Sequence, residues 1–384
     1  MENLRYHSVI PTNDRPGTFN AAEQITAGGF GDSDLIDFEF DVPGRSLVRN
    51  SLEISADVTF LNGGTPIGAD AGEVSLDHNA GAHALFETFS TSSVQQGNLE
   101  NIGTAYPRFA AVMLAGENNR VDIPNLSKQL EWRMPSDEIA GNFCRVRTAD
   151  GNGVSQSERQ RFNLKPRIMI NRTSGDIPFS KTGRMRISTN LTSPNRLFRN
   201  QLDAAGANGF RLANVRLNFR TVPEVKSSEP LTAMKVVALK TTISSALANV
   251  SVNIPSPAAT GITLCFQNAA NENSASANCN ALEYINVSSI QYLFNSANSY
   301  ISYKLDNKSE MLRRAVASFT ADDGAGKKYQ TSPEDLAAGR NFFLGSDLDG
   351  VMDLRSNTFD IQVQSDIAGT THNMFIYAHT LAAL

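Results

Sequence analysis

Between Arg161 and Leu191 two runs of alternating apolar and polar residues meet, in opposite phase, across a turn-rich connection. In the first, Phe162, Leu164, Ile168 and Ile170 share one face and Asn163, Lys165 and Arg167 the other. In the second, Met185, Ile187 and Leu191 oppose Arg184, Arg186 and Asn190. A period of two is the side-chain repeat of a strand buried on one face, whereas a helix would scatter these residues around its circumference. Thr173-Ser174-Gly175-Asp176 and Lys181-Thr182-Gly183 supply turn chemistry. A third run, Phe210 to Thr221, changes phase: Phe210 and Leu212 are even-numbered, Val215, Leu217 and Phe219 odd. A one-residue slip flips every side chain, so the spacing predicts a bulge near Ala213-Asn214. The expected architecture is a β-sandwich.

The chain has 384 residues, and single cores stop growing near roughly 250–300 residues. The strand pattern accordingly runs twice. Ile36, Phe38, Phe40 and Val42 alternate with Asp37, Glu39 and Asp41 up to Pro43-Gly44, and Leu52, Ile54, Ala56, Val58 and Phe60 follow, stopped by Asn62-Gly63-Gly64. Thr65 to Glu73 reads as loop. Ala80 to Thr91 fits both a helical face and a strand, Gln95 to Gly103 is polar, and Tyr106 to Leu114 reads as a short helix. Residues 115–160 form a long excursion with the single tryptophan, Trp132, and a helix start at Ser136-Asp137-Glu138. Excursions of this length usually carry function or contacts.

Thr221 to Leu231, TVPEVKSSEPL, reads as a linker with two prolines and no period. Alternation restarts at Val237, Leu239, Thr241 and Ile243, then at Val250, Val252 and Ile254, then at Ile262, Leu264 and Phe266. An Asn/Ser/Ala loop from Asn268 to Asn280 precedes strands over Tyr284 to Phe294 and Tyr300 to Leu305, split by Asn295-Ser296-Ala297-Asn298. Two helices interrupt: Ser309 to Thr320, with Met311, Leu312, Ala315, Val316 and Phe319 on one face, and one opening at Ser332-Pro333-Glu334-Asp335. Phe359, Ile361 and Val363, then Met374 to Leu381, close the chain. The division this implies is an extended N-terminal arm over 1–33, a first sandwich over 34–222, a linker over 223–233 and a second sandwich over 234–384.

Several segments carry a family resemblance: NLKPRIMI between Phe162 and Asn171, IPFSKTGRMRISTNL from Ile177 to Leu191, and FRLANVRLNFRTVPE from Phe210 to Glu224. In the second half they are MKVVALKTTI, FDIQVQS and HNMFIYAHTL. In layout and texture the chain resembles the double-jelly-roll major capsid proteins of the adenovirus and tectivirus lineage over most of residues 34–384. The resemblance implies an all-β fold of two consecutive eight-stranded jelly-roll sandwiches with a few short helices in the loops. It implies a homotrimer of pseudo-hexagonal outline, tiling an icosahedral shell around the genome, often over an inner membrane. The partners are then the chain itself, neighbouring trimers and other capsid proteins such as a vertex protein; the location is the virion, with assembly in the host cytoplasm. The arm 1–33 fits a segment clamped beneath neighbouring trimers. Both rolls lack a large inserted tower, which departs from that pattern and implies a modest outer surface.

Charge and site chemistry point the same way. The net charge of −5 gives no general attraction to phosphate backbones, so direct, sequence-specific nucleic-acid binding is not expected. Charged residues make up 19% of the chain, against roughly 25% in soluble domains. Asn, Ser and Thr fill the gap, which suits both extensive subunit contacts and a β-rich protein. Cys144, Cys265 and Cys279 lack paired zinc spacing and read as reduced, buried thiols, a Cys265–Cys279 bridge staying open. MENLRY carries no apolar core, so a cleaved secretory signal is not expected, and no run approaches a membrane span.

His7, His78, His83, His372 and His379 are scattered; His78 and His83 do not face one another on a helix, and His379 reads as a satisfied core or interface residue. No nucleophile elbow or Ser/His/Asp set appears, and Ala149-Asp150-Gly151-Asn152-Gly153 is a turn without a phosphate loop's lysine. Gly345-Ser346-Asp347-Leu348-Asp349-Gly350, with Asp353, resembles a calcium-loop fragment but lacks its closing Glu. It reads as a solvated turn, leaving Asp347, Asp349 and Asp353 as the metal candidates where no metal or cofactor is otherwise expected. Arg184 and Arg186 read as solvated, or as pairing with acids across an interface. The alternatives to a non-enzymatic shell subunit are a tandem β-sandwich carbohydrate-binding or adhesion protein, which would want more exposed aromatics, and a glycosidase, which would need paired carboxylates.

Overall fold

The computed structural model describes residues 3–19, 25–62, 65–66, 74–75, 79–117, 145–146, 160–197, 208–225, 230–274, 279–294, 298–299, 304–318, 342–355, 358–367 and 369–384. In the first half eight strands matter: β1 (Arg5–Val9), β2 (Leu35–Phe40), β3 (Glu53–Asn62), β4 (Phe89–Ser93), β5 (Gly97–Ile102), β6 (Gln160–Leu164), β7 (Met185–Asn190) and β8 (Asn208–Pro223). They form two sheets, ordered β1-β8-β3-β6 and β2-β7-β4-β5. The second half repeats the scheme with β9 (Thr232–Ile243), β10 (Leu247–Val252), β11 (Ala259–Asn268), β12 (Ser289–Phe294), β13 (Asn298–Ser299), β14 (Leu344–Met352), β15 (Phe359–Gln364) and β16 (His372–Ala383). Its sheets are ordered β9-β16-β11-β14 and β10-β15-β12-β13. Each half thus joins its first, eighth, third and sixth strands in one sheet and its second, seventh, fourth and fifth in the other, which is the jelly-roll connection.

The opposite phases of the two opening runs now have a cause. β6 and β7 lie in different sheets of one sandwich, and Phe162, Leu164, Met185 and Ile187 all turn into the shared core. The first run is a strand only as far as Leu164; Pro166 has no N–H for a ladder, and Met169–Asn171 turn into a short 3-10 helix with Ile168 and Ile170 still buried. In β8 the register against β3 shifts between Ala213 and Arg216, and Asn214 sits at φ 51°, a left-handed conformation that Asn tolerates. This is the bulge the phase change demanded.

Several expectations are corrected. The stretch 1–33 is not an arm throughout, because Arg5–Val9 form β1, laddered on β8, with the His7 ring stacked 5.0 Å from Phe219 and Phe30 bridged to Leu212. The polar stretch 95–103 contains β5, and within Thr65–Glu73 the pair Thr65–Pro66 adds to β3. Tyr284 to Phe294 is laddered only from Ser289. Ala80 to Thr91 is both things at once, a 3-10 turn over Gly81–Leu85 and then β4.

The Gly345–Gly350 stretch is not a turn either; it lies within β14. Its glycine serves packing. Helix α2 (Lys308–Ala317; α1 is Tyr106–Glu117) lies against β14 and β11, capped by Asn307, whose side-chain oxygen accepts from Ser309 N at 2.9 Å. A Cβ on Gly345 would stand 2.5 Å from the Ile262 carbonyl oxygen, and one on Gly261 2.1 Å from that of Ser318. Gly261→Ala therefore has to lift the end of α2 off the sheet. It is expected to cost about 2–3 kcal/mol, the range of a core overpacking, in denaturant unfolding. A loss under about 0.5 kcal/mol, the scatter of neutral surface changes, would show that the helix does not need this close approach.

Trp132, Cys144, His78, Phe319, residues 149–153, 300–303 and the helix starts at 136–138 and 332–335 lie outside the described residues. Among the described residues no helix is long and apolar enough to cross a membrane.

Candidate assembly surfaces and the seam between the rolls

The two rolls are joined by a buried seam built around α1. This helix belongs in sequence to the first roll, yet it is buried on every side from Tyr106 to Gly116. It packs on the outer face of β16. The Phe109 ring lies 5.2 Å from that of Tyr377 and 6.2 Å from that of His379, and the Tyr377 hydroxyl donates to the Ala105 carbonyl at 3.3 Å. Arg108, 4% exposed, places its guanidinium 3.8 Å from the Phe375 ring centroid and donates to Gln267 Oε1 at 2.5 Å and to the Cys279 carbonyl. A buried cation is tolerable only where π-density and carbonyl oxygens replace its water.

The second clamp is a short added strand. Met234 N donates to the Arg172 carbonyl at 2.8 Å, Ser174 N donates to that of Thr232 at 2.8 Å, and Thr173 bridges Ala233. From there a polar chain enters the second roll. Arg172 Nη2 lies 3.4 Å from His379 Nδ1, His379 Nε2 lies 2.8 Å from Thr263 Oγ1, and Thr263 Oγ1 lies 2.7 Å from Ser318 Oγ. Ser318 donates to the Ala315 carbonyl at 2.6 Å. With the serine proton spent there, Thr263 donates to Ser318 and His379 donates through Nε2. Burial, and then Arg172, hold the His379 pKa well below its ordinary value, so the ring is neutral. His379 is the satisfied core residue its phase predicted.

The outer faces differ in charge. On β10, β15 and β12 the outward residues form three rows: Leu247, Gln364 and Ser289; Asn249, Gln362 and Gln291; Ser251, Asp360 and Leu293. Asp360 alone is charged, and it is buried and accepts from Ser251. Depletion of charge is what marks the centre of a protein–protein interface. The matching face of the first roll is charged, but Arg186 Nη2 reaches Asp37 Oδ2 at 2.8 Å and Arg184 Nη1 reaches Glu39 Oε2 at 3.4 Å. Burial would raise the Asp37 pKa, yet Arg186 and Ser188 outweigh it and hold the carboxyl below its usual value. Both arginines keep half or more of their surface exposed while reaching acids of the neighbouring strand β2.

A third surface is the edge of the first roll. Among the described residues β1 is laddered on one side only, and Tyr6 on it and Leu4 and Ile10 just beyond its ends stand exposed, Tyr6 at 76%. A groove of about 540 Å³ runs beside it, lined by Tyr6, Ser8, Glu53, Asn218 and Arg220 among others. An apolar sheet edge is a liability unless something covers it.

Two of the metal candidates, Asp347 and Asp353, lie beside arginines. Asp347 Oδ1 lies 3.9 Å from Arg314 Nη1, while Asp353 is clasped by Arg355 at 2.7 Å, which holds its pKa down to about 2. The Asp349 side chain lies outside the described residues. Among the described residues no three His, Cys, Asp or Glu side chains are grouped to hold a metal. Cys265 and Cys279 are buried thiols with no disulfide between them, and burial pushes Cys265 up to about 12. The residues that do gather, Arg108, Phe109, Arg172 and His379, come from distant segments. Arg108, an arginine amid the apolar run 106–115, was the one visible signal.

Two jelly rolls in tandem, locked by a helix lent from one to the other, define a double-jelly-roll protein. No protein-family model and no curated protein matches the sequence. Solved structures are similar to it. A chain of the PBCV-1 virus capsid matches with a TM-score of 0.58 at 11% identity, over 99% of this chain and 94% of that one. The Faustovirus major capsid protein matches with a TM-score of 0.58 at 8% identity, over 99% and 90%. A chain of the Sputnik virophage structure matches with a TM-score of 0.57 at 10% identity, over 100% and 86%. At such identities the similarity is one of fold: the chain has the double jelly roll of viral major capsid proteins.

Proposed function

We propose that the protein is a major capsid protein, a non-enzymatic shell subunit whose work is to bind copies of itself. The observation that carries the reading is the repeated roll with a buried, hydrogen-bonded seam. Three chains would place six similar rolls around one axis, which gives a pseudo-hexagonal unit able to tile an icosahedral shell with its neighbours. In this reading residues 5–223 are the first roll, 224–231 the connection, shorter at both ends than the 223–233 expected from sequence, and 232–384 the second roll. The virion is then its location, and neighbouring trimers, a vertex protein and any membrane beneath the shell are its further partners.

The charge-poor face of β10, β15 and β12 and the apolar edge of β1 supply surfaces for these contacts. Obligate interfaces bury on the order of 2,000–5,000 Å², and closed symmetry limits their growth. Sedimentation velocity on the purified chain tests the reading. A stable species at three times 41.6 kDa is the expected result. A monomer at all concentrations, above all one that binds glycans, would move the protein to the carbohydrate-binding class.

A further inference from the structure

A single carboxylate also pins the rolls to each other, beside the second clamp. Glu100 on β5 is 4% exposed. Its Oε2 accepts from Met169 N at 2.7 Å and its Oε1 from Val236 N at 2.8 Å, so one donor comes from the first roll's 3-10 turn and the other from β9 of the second. Among the described residues no lysine or arginine forms an ion pair with it. The charged groups that face it are Arg172 from the turn and Lys235 from β9. β4, laddered against it through Thr91, contributes no titratable side chain, and neither does the rest of β5. Next beyond Arg172 is His379, which is neutral.

We infer that Glu100 is a proton-operated latch between the two rolls: uptake of one proton strengthens their docking, and its release weakens it. The carboxylate has given up its water for two amide donors, one on each oxygen. Burial pushes its pKa from 4.5 up to about 7, although the two N–H groups, Arg172 and Lys235 all pull it down. When the rolls part, the side chain regains water and an ordinary acidity. The docked state therefore binds the proton more tightly. Its advantage is complete below the ordinary carboxylate range and is lost as pH rises through about 7. Over that whole span the docking equilibrium changes roughly 300-fold, and between pH 5.5 and 8.5 roughly 30-fold.

Equilibrium unfolding of the full chain at pH 5.5, 7 and 8.5 tests this, beside Glu100→Gln. The wild type should lose stability across the range by roughly 30-fold in its unfolding constant, and the variant, whatever its absolute stability, should lack that part of the slope. A Gln variant that keeps the wild-type slope overturns the latch. Where the variant fails to fold, a carbon-13 carboxyl NMR titration of the wild type decides: Glu100 should titrate near neutrality, and titration below pH 5 overturns it. Hydrogen exchange at the Met169 and Val236 amides, corrected for intrinsic rates, should slow towards pH 5.5 if proton uptake tightens the seam and stay flat if Glu100 is only a spacer. All three readouts are internal to one chain, so they succeed or fail independently of whether the protein forms trimers.

Discussion

Phe109→Ala is expected to destabilise the protein by about 3–5 kcal/mol, the usual cost of emptying a buried aromatic site. The ring is fully buried and touches both rolls: Tyr377 at 5.2 Å, His379 at 6.2 Å and the Arg172 guanidinium at 5.8 Å. Neither neighbour can collapse into the vacated space, because His379 is held by Thr263 and Tyr377 by the carbonyl of Ala105. The loss should also have a particular form. The main cluster of buried residues runs through both rolls, so the wild type should melt in a single calorimetric transition. With the seam emptied, the rolls should separate into two transitions. A single transition lowered by less than about 1 kcal/mol, the centre of ordinary point mutations, would mean that the seam is not what couples them.

The sandwich was legible because period two reports one-sided burial, and β7 and β10 are buried on one side, β15 nearly so. Met185, Ile187, Val250, Val252, Ile361 and Val363 all fall where their alternation put them. So do the bulge at Asn214 and the apolar face of α2. The same signal fails where both faces are covered. In β3 the polar residues Ser55, Asp57 and Thr59 are as buried as Ile54 and Val58, and from His372 to Thr380 nothing in β16 faces water. β1 failed for the opposite reason: Arg5, Tyr6 and Ser8 are exposed, and too little apolar periodicity is left to announce a strand. Gly345 was read as turn chemistry because sequence cannot distinguish a glycine that bends the chain from one that admits a helix. The seam was illegible in principle. Arg108 and Gln267, or Glu100 and Val236, are neighbours only after two sheets have formed and docked.

Charge placed at the centre of the β10-β15-β12 face should abolish assembly and leave the fold intact. Gln362 sits in the middle row, opposite Asn249 on one side and Gln291 on the other. It is only partly covered in the single chain, so an arginine there can keep its head in water, and the melting temperature should move by no more than about 2 °C. In a packed interface the same arginine would be stripped of water with no acid to meet it. Asp360, the only carboxylate in the grid, is already bonded to Ser251. Burying an unpaired charge costs several kcal/mol, enough to weaken self-association at least about 100-fold. Gln291→Arg in the same chain should add like-charge repulsion across the strand pair. Asn190→Arg is the matched control, since it adds the same charge to the face where Arg184 and Arg186 already stand beside acids. If Gln362→Arg sediments as the wild type does while Asn190→Arg dissociates, the contact lies on the first roll's charged face, and the amide grid faces solvent in the assembled particle.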